Sequence, residues 1–222
     1  MLKLIGKAVL IIFGLIILYL LTWPTGIDPV AWTLQKSPGI TGDYAPNNLL
    51  SKTEIFGKGM GVGPEDIDVD DQGRIYAPYE GGKIFRVDAD GSNGVEFVDT
   101  KGRPLGLEFD ANGNLIICDP FKGLLSASPE GILTTLVTEV DGIKLNFTDD
   151  VDIAQDGMIY FSDVSVKFDQ HHYRHDLLEH RPNGRVISYD PITKEAKTIK
   201  DEMYFANGVA VSPDQTYLLV NE

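Results

Sequence analysis

Apolar and polar positions follow two patterns along this chain of 222 residues. From Ala8 to Trp23 the residues are almost continuously apolar, and with Leu4 and Ile5 the run approaches the ~20 residues that a spanning helix needs. Beyond Ser51 the pattern changes to short alternating runs broken by Asp, Asn and Gly, which predicts strands joined by tight turns. One phrase returns four times: GPEDIDVDDQGRIY from Gly63, RPLGLEFDANGNLIICD from Arg103, FTDDVDIAQDGMIYFSD from Phe147 and FANGVAVSPDQTYLLVNE from Phe205. Its spacing of roughly 40 residues is the period of propeller blades.

The first repeat has the content of a whole blade. Ile67 and Val69 form a first strand, Asp71-Gln72-Gly73 turns the chain, and Ile75-Tyr76 begin a second. Lys83 to Val87, the turn Asp88-Ala89-Asp90-Gly91 and Val95 to Val98 complete about four strands. No helical periodicity separates the strands, so a series of βαβ units is excluded. The second repeat turns at Asp110-Ala111-Asn112-Gly113, and the third carries an insertion from about Val164 to Pro182. The predicted architecture is all-β: about three and a half propeller blades over 52–222, after an N-terminal membrane anchor at 1–24 and a Pro- and Gly-rich stalk at 25–51. A stack of that size leaves strand edges unpaired, so the pattern reads as part of a longer protein or as a piece that needs another copy.

Charge and composition narrow the partners. A net charge of −14 and a pI near 4.6 repel phosphate backbones, which excludes nucleic acid. Cys118 is the sole cysteine and sits in the apolar run Leu115-Ile116-Ile117, so a buried thiol is expected and a disulfide framework is excluded. Lys3 and Lys7 precede the apolar run, and Trp23-Pro24-Thr25-Gly26 offers no small-x-small cleavage site, which favours an uncleaved anchor over a signal peptide. The positive-inside rule then predicts a cytoplasmic N-terminus with the propeller on the periplasmic, lumenal or extracellular side.

Blades are related by rotation about one axis, so one position in each repeat forms a ring around the channel. That position reads Glu65, Leu105, Asp149 and Asn207. Three oxygen-bearing side chains converging from distant segments suit a hard metal ion. Competing readings exist for each: a surface carboxylate for Glu65, a turn residue for Asn207 before Gly208, and a one-residue slip that would exchange Asp149 with Asp150. Asp71, Asp110 and Asp156 are expected as turn formers. Asp119 and Asp163 each follow a second strand and either cap a turn or line the channel. His171, His172, His175 and His180 all fall in the insertion, but without Cys or HExxH context a solvated loop fits them better than a zinc site. Asn146-Phe147-Thr148 matches the glycosylation pattern beside the expected ring position, where coincidence is the simpler reading.

The GPED phrase at 63–66, the FTDD phrase at 147–150 and FANGVAVSPD from Phe205 resemble the calcium-dependent phosphotriesterase superfamily. This six-bladed propeller group includes the SMP-30/gluconolactonase, paraoxonase, adipocyte plasma membrane-associated and strictosidine synthase-like proteins. IYFSDVSVKFD from Ile159 and NGRVISYDPITKEAKTI from Asn183 most resemble the strictosidine synthase-like branch. The resemblance implies a calcium site, with another divalent ion as the alternative, held by Glu65, Asp149 and Asn207. Asp149 stands where the family usually has Asn, and paraoxonase-like members also use the residue matching Asp66. Further family ligands would lie beyond Glu222. The implied activity is hydrolysis of lactones or esters, with a small-molecule substrate whose carbonyl the ion polarises, and with Asp163 and Asp150 as the candidate catalytic carboxylates. Two alternatives remain: a metal-free condensing enzyme like strictosidine synthase, and a non-catalytic binding propeller with a structural cation.

Overall fold

The structure is a computed structural model that describes residues 2–37 and 39–222; Met1 of the expected anchor and Pro38 of the expected stalk lie outside them. Helix α1 runs Leu2–Thr22 as one apolar element of 21 residues. Its stretch Lys3–Thr22 has mean hydropathy 2.7 and is left unburied by the other described residues, so its length and composition suit a bilayer crossing. Among the described residues the following segment has short 3-10 turns at Gly42–Tyr44 and Leu49–Lys52.

Three four-stranded antiparallel sheets then follow in chain order. Blade 1 comprises β1 (Asp68–Val69), β2 (Ile75–Pro78), β3 (Lys83–Val87) and β4 (Val95–Asp99). Blade 2 comprises β5 (Leu107–Phe109), β6 (Leu115–Asp119), β7 (Gly123–Ala127) and β8 (Leu133–Val137). A small hairpin of β9 (Glu139–Val140) and β10 (Ile143–Lys144) leads to blade 3, formed by β11 (Thr148–Ile153), β12 (Ile159–Asp163), β13 (Gly184–Asp190) and β14 (Glu195–Met203). A two-stranded sheet, β15 (Val209–Val211) with β16 (Leu218–Val220), stands beside blade 3. The meander order in every sheet is that of a partial propeller.

The turn chemistry explains the inner hairpins. The Asp110 carboxylate accepts from the backbone N–H groups of Asn112 (2.9 Å) and Asn114 (2.8 Å), and Asp156 accepts from that of Met158 at 3.0 Å. In blade 1 Asp71 lies in the turn as expected, and the capping carboxylate is that of Asp70, which accepts from the N–H groups of Gln72 and Arg74. Because strands alternate in direction, these turns and the β3–β4-type turns share one end of the molecule. The starts of the inner strands and the β2–β3-type connections share the other.

Burial on both faces of each blade accounts for the near-continuous apolar runs. In β6, Leu115 and Ile117 pack with Tyr76, Ile84 and Val98 of blade 1, whereas Ile116 and Cys118 pack with Val151, Phe161 and Ile187 of blade 3. Each fully buried side chain of this kind contributes roughly 1.5–3 kcal/mol. Cys118 is indeed buried, and burial pushes its thiol well up from the ordinary range.

Candidate functional site

The inner strands bring the ring position together. Glu65, Leu105, Asp149 and Asn207 all line one cavity of about 390 Å³ at the end where these strands begin. The close approach of blades 2 and 3 there depends on Gly106, whose N–H donates to the Asp149 carbonyl at 2.7 Å. A Cβ on Gly106 would lie 2.7 Å from both that oxygen and the Asp150 Cα.

Charge in the cavity is unevenly compensated. Arg103, 7% exposed at its side chain, donates from Nη2 to the Gly63 carbonyl at 2.8 Å and to Glu65 Oε1 at 3.2 Å. Asp149 has no hydrogen-bond donor at its carboxylate among the described residues. Burial first, then the neighbouring charges of Asp150 and Glu65, push the Asp149 carboxyl up to about 7, with Arg103 pulling the other way. The Asn207 carboxamide is likewise without a partner among the described residues, while its backbone N–H donates to the Asn221 carbonyl at 3.0 Å. Two carboxylates and an amide oxygen, one carboxylate partly desolvated and unpartnered, fit a hard cation such as calcium. No group of three or more His, Cys, Asp and Glu assembles as a metal site among the described residues, so this set depends on its amide member.

The structure does not bring the other predicted site residues to this cavity. The Asp66 and Asp150 side chains instead reach the neighbouring repeats. The Asp66 carboxylate accepts from the N–H of Leu107 at 2.8 Å, and that of Asp150 from Val209 at 2.8 Å. Two residues on, Asp68 accepts from Phe109 and Asp152 from Val211, each at 2.6 Å. Inner-strand carboxylates thus tie each of these blades to the following inner strand, which occupies Asp66 where the resemblance implied a ligand. Asp163 is fully buried: one oxygen accepts from the N–H of Phe147 (2.9 Å) and the other from Arg185 Nε (2.9 Å). Both carboxylates are consumed by structure, so the catalytic expectation for Asp163 and Asp150 finds no support in their placement.

Asp119 occupies the equivalent buried position in blade 2, bonded to the Thr100 hydroxyl and to the N–H groups of Arg103 and Phe121. The histidines do not converge on one point: His172 and His175 pack together at 5.4 Å, and the other two find separate aromatic partners. His171 stacks on Phe121 at 4.7 Å, His172 pairs with Asp169 at 2.7 Å, and His180 lies against Trp32 and Tyr204.

Several residues at the site were missed from sequence. Arg103 was visible two positions before Leu105, but nothing local marks it as a partner of Glu65. Glu80 lines the cavity from the β2–β3 connection. The insertion, expected as a loop, forms helix α2 (Tyr173–Glu179) and places Gln170, Tyr173 and Leu177 over the cavity.

Comparisons with known proteins show what the chain is similar to. The strictosidine synthase family profile matches residues 149–222, and the strictosidine synthase-like N-terminal profile matches 42–87. Protein STRICTOSIDINE SYNTHASE-LIKE 6 of Arabidopsis thaliana is 41% identical over 180 residues, 78% of this chain and 48% of that protein. Adipocyte plasma membrane-associated protein of Rattus norvegicus is 34% identical over 212 residues, 88% of this chain and 56% of that one. The chain therefore spans about half the length of the curated relatives it matches. Among solved structures, a gluconolactonase from Xanthomonas campestris superposes with TM-score 0.56 at 22% identity, covering 68% of this chain and 51% of its own. A putative gluconolactonase gives 0.59 at 21% identity, covering 75% and 60%. At these identities the likeness speaks for the propeller fold.

Proposed function

The chain belongs to the strictosidine synthase-like family, and from that membership and the axial cavity we propose a membrane-anchored, calcium-dependent hydrolase of lactones or esters. The observation that carries the reading is the convergence of Glu65, Asp149 and Asn207, one from each of three repeats, on one cavity. These three would hold the ion. Bound there, calcium would supply positive charge for the substrate carbonyl oxygen as negative charge builds on it.

The chain's own groups divide the remaining work. Glu65 is paired with Arg103, whereas Asp149 has no such partner among the described residues, so its negative charge is available to attract a cation. Asn207 adds an oxygen without charge. Phe147 and Phe205, edge-to-face at 6.0 Å, form an apolar wall that limits water. Glu80 is the cavity carboxylate not assigned to the ion, and it would accept a proton from an attacking water. Helix α1 anchors the protein, with Lys3 and Lys7 on the cytoplasmic side and the blades opposite.

One observation favours a metal-free reading, the condensing chemistry named for the family. Arg103 already brings a cation to Glu65. Thermal unfolding with and without calcium, in the wild type and in Glu65→Gln and Asn207→Ala, tests the site. The hydrolase requires calcium stabilisation that both substitutions abolish, together with turnover of aryl esters or lactones that falls with it. Absence of any calcium shift supports the metal-free reading, and a calcium shift without turnover leaves a binding propeller with a structural cation.

A further inference from the structure

Helix α2 is built inside out. Its buried residues are Asp176 and Glu179, while Leu177 and Leu178 are 52% and 66% exposed. Both acids are held from below: Asp176 accepts from the Ser165 hydroxyl at 2.6 Å and the Asn183 amide at 3.0 Å, and Glu179 accepts from Lys167 Nζ at 2.6 and 2.8 Å. With two carboxylates fixing the underside, the leucines are committed to the outer surface, beside Tyr173 at the cavity mouth.

The segment that follows α1 is latched to this helix. Asp28 donates its N–H to Glu179 Oε2 at 3.1 Å and accepts from Arg181 at its carbonyl (2.7 Å) and its carboxylate (2.6 Å). Val30 donates its N–H to the Glu179 carbonyl at 2.9 Å, and Trp32 packs on His180 at 5.4 Å. Val30 and Trp32 are themselves exposed, which extends the apolar surface of α2.

We propose that this surface docks on the bilayer crossed by α1, so that the cavity opens toward lipid and receives esters or lactones with long apolar chains from the membrane. The inference rests on α1 as an anchor and, for its substrate clause, on the hydrolase reading. Asp28 lies six residue steps beyond Thr22, the last residue of α1, and at ~3.3–3.6 Å per step these reach at most about 22 Å, so the latch keeps α2 within that distance of the end of α1. Charge agrees with this occupant. The protein as a whole carries −14, yet in the insertion Lys167, Arg174 and Arg181 balance Asp169, Asp176 and Glu179. A neutral apolar face approaches a zwitterionic headgroup layer without repulsion. Tyr173 and Leu177 belong both to this face and to the cavity lining, giving an apolar chain a continuous path.

The test uses the full chain in phosphatidylcholine vesicles. A fluorophore is attached at Leu178→Cys or, as a control at the opposite end of the blades, at Asn112→Cys; native Cys118 is buried and unreactive. Nitroxide-labelled phosphatidylcholine should quench the label at 178 about three-fold more than that at 112. Equal quenching in vesicle-retained protein overturns the docking alone. Loss of the protein from vesicles in alkaline wash overturns the anchor and the docking together. Protection at 178 from lipid and aqueous quenchers alike assigns the face to a protein partner and overturns the proposal. In the second arm, Leu178→Glu should lower hydrolysis of a vesicle-dissolved long-chain ester about five-fold or more and leave a short soluble ester unchanged. Equal loss on both esters overturns the substrate clause, and turnover of neither overturns the hydrolase reading while the quenching result stands.

Discussion

Replacing Glu108 with Gln should stabilise the protein above neutral pH and leave it unchanged in acid. Glu108 sits in β5 among Asp68 of β1, Asp66 just before that strand, and Asp150 and Asp152 of β11. Burial first, then those four charges, push its carboxyl from 4.5 up to about 7. The rise of about 2.5, at ~1.36 kcal/mol per pKa unit, sets a ceiling of roughly 3–4 kcal/mol. Water at the open side of the strand screens the group and reduces the expectation to about 1–2 kcal/mol. The folded state holds the proton more tightly than the unfolded chain, so this contribution is complete below pH 4.5 and is lost as pH rises through 7. Glutamine keeps the shape and cannot ionise. Thermal melts of both proteins from pH 4 to 8.5 should therefore diverge only on the basic side, by about 3–6 °C at pH 8. A difference of the same size at pH 4 and pH 8, or a destabilised variant at pH 8, refutes the reasoning.

Two further outcomes follow from the packing. Asp163→Ala leaves Arg185 buried without its carboxylate, although it still donates to the carbonyls of Val140 and Ile143. The loss should be about 3–5 kcal/mol in urea unfolding, and a further Arg185→Met change should recover part of it. Gly106→Ala forces blades 2 and 3 apart where the added carbon meets Asp149 and Asp150, costing about 1–3 kcal/mol by the same measurement and weakening the calcium response of the cavity.

Much of the fold was legible because its signals are local. Alternation fixed β3 at Lys83–Val87, Asp and Gly marked the inner turns, and an unbroken apolar run marked α1. The repeat register even identified Glu65, Asp149 and Asn207 as neighbours, since rotation converts sequence phase into proximity. Asp71 does lie in the turn, but the carboxylate that accepts the turn's N–H groups is that of its neighbour Asp70.

What each carboxylate does was decided only in three dimensions. Asp66 and Asp150 look like ligands in a one-dimensional phrase, but each meets a backbone N–H from the next repeat, 41 and 59 residues away. Arg103 acquires its role from Glu65, 38 positions earlier, and the stalk finds Glu179 across 151. The sequence by itself determined where strands, turns and the apolar helix lie, because those follow from the periodicity and backbone preferences of adjacent residues. The tertiary structure alone decided which acids are spent on the scaffold and which remain free in the cavity. An ionised oxygen carries the same chemistry in either place, and only the donors folded against it distinguish the two.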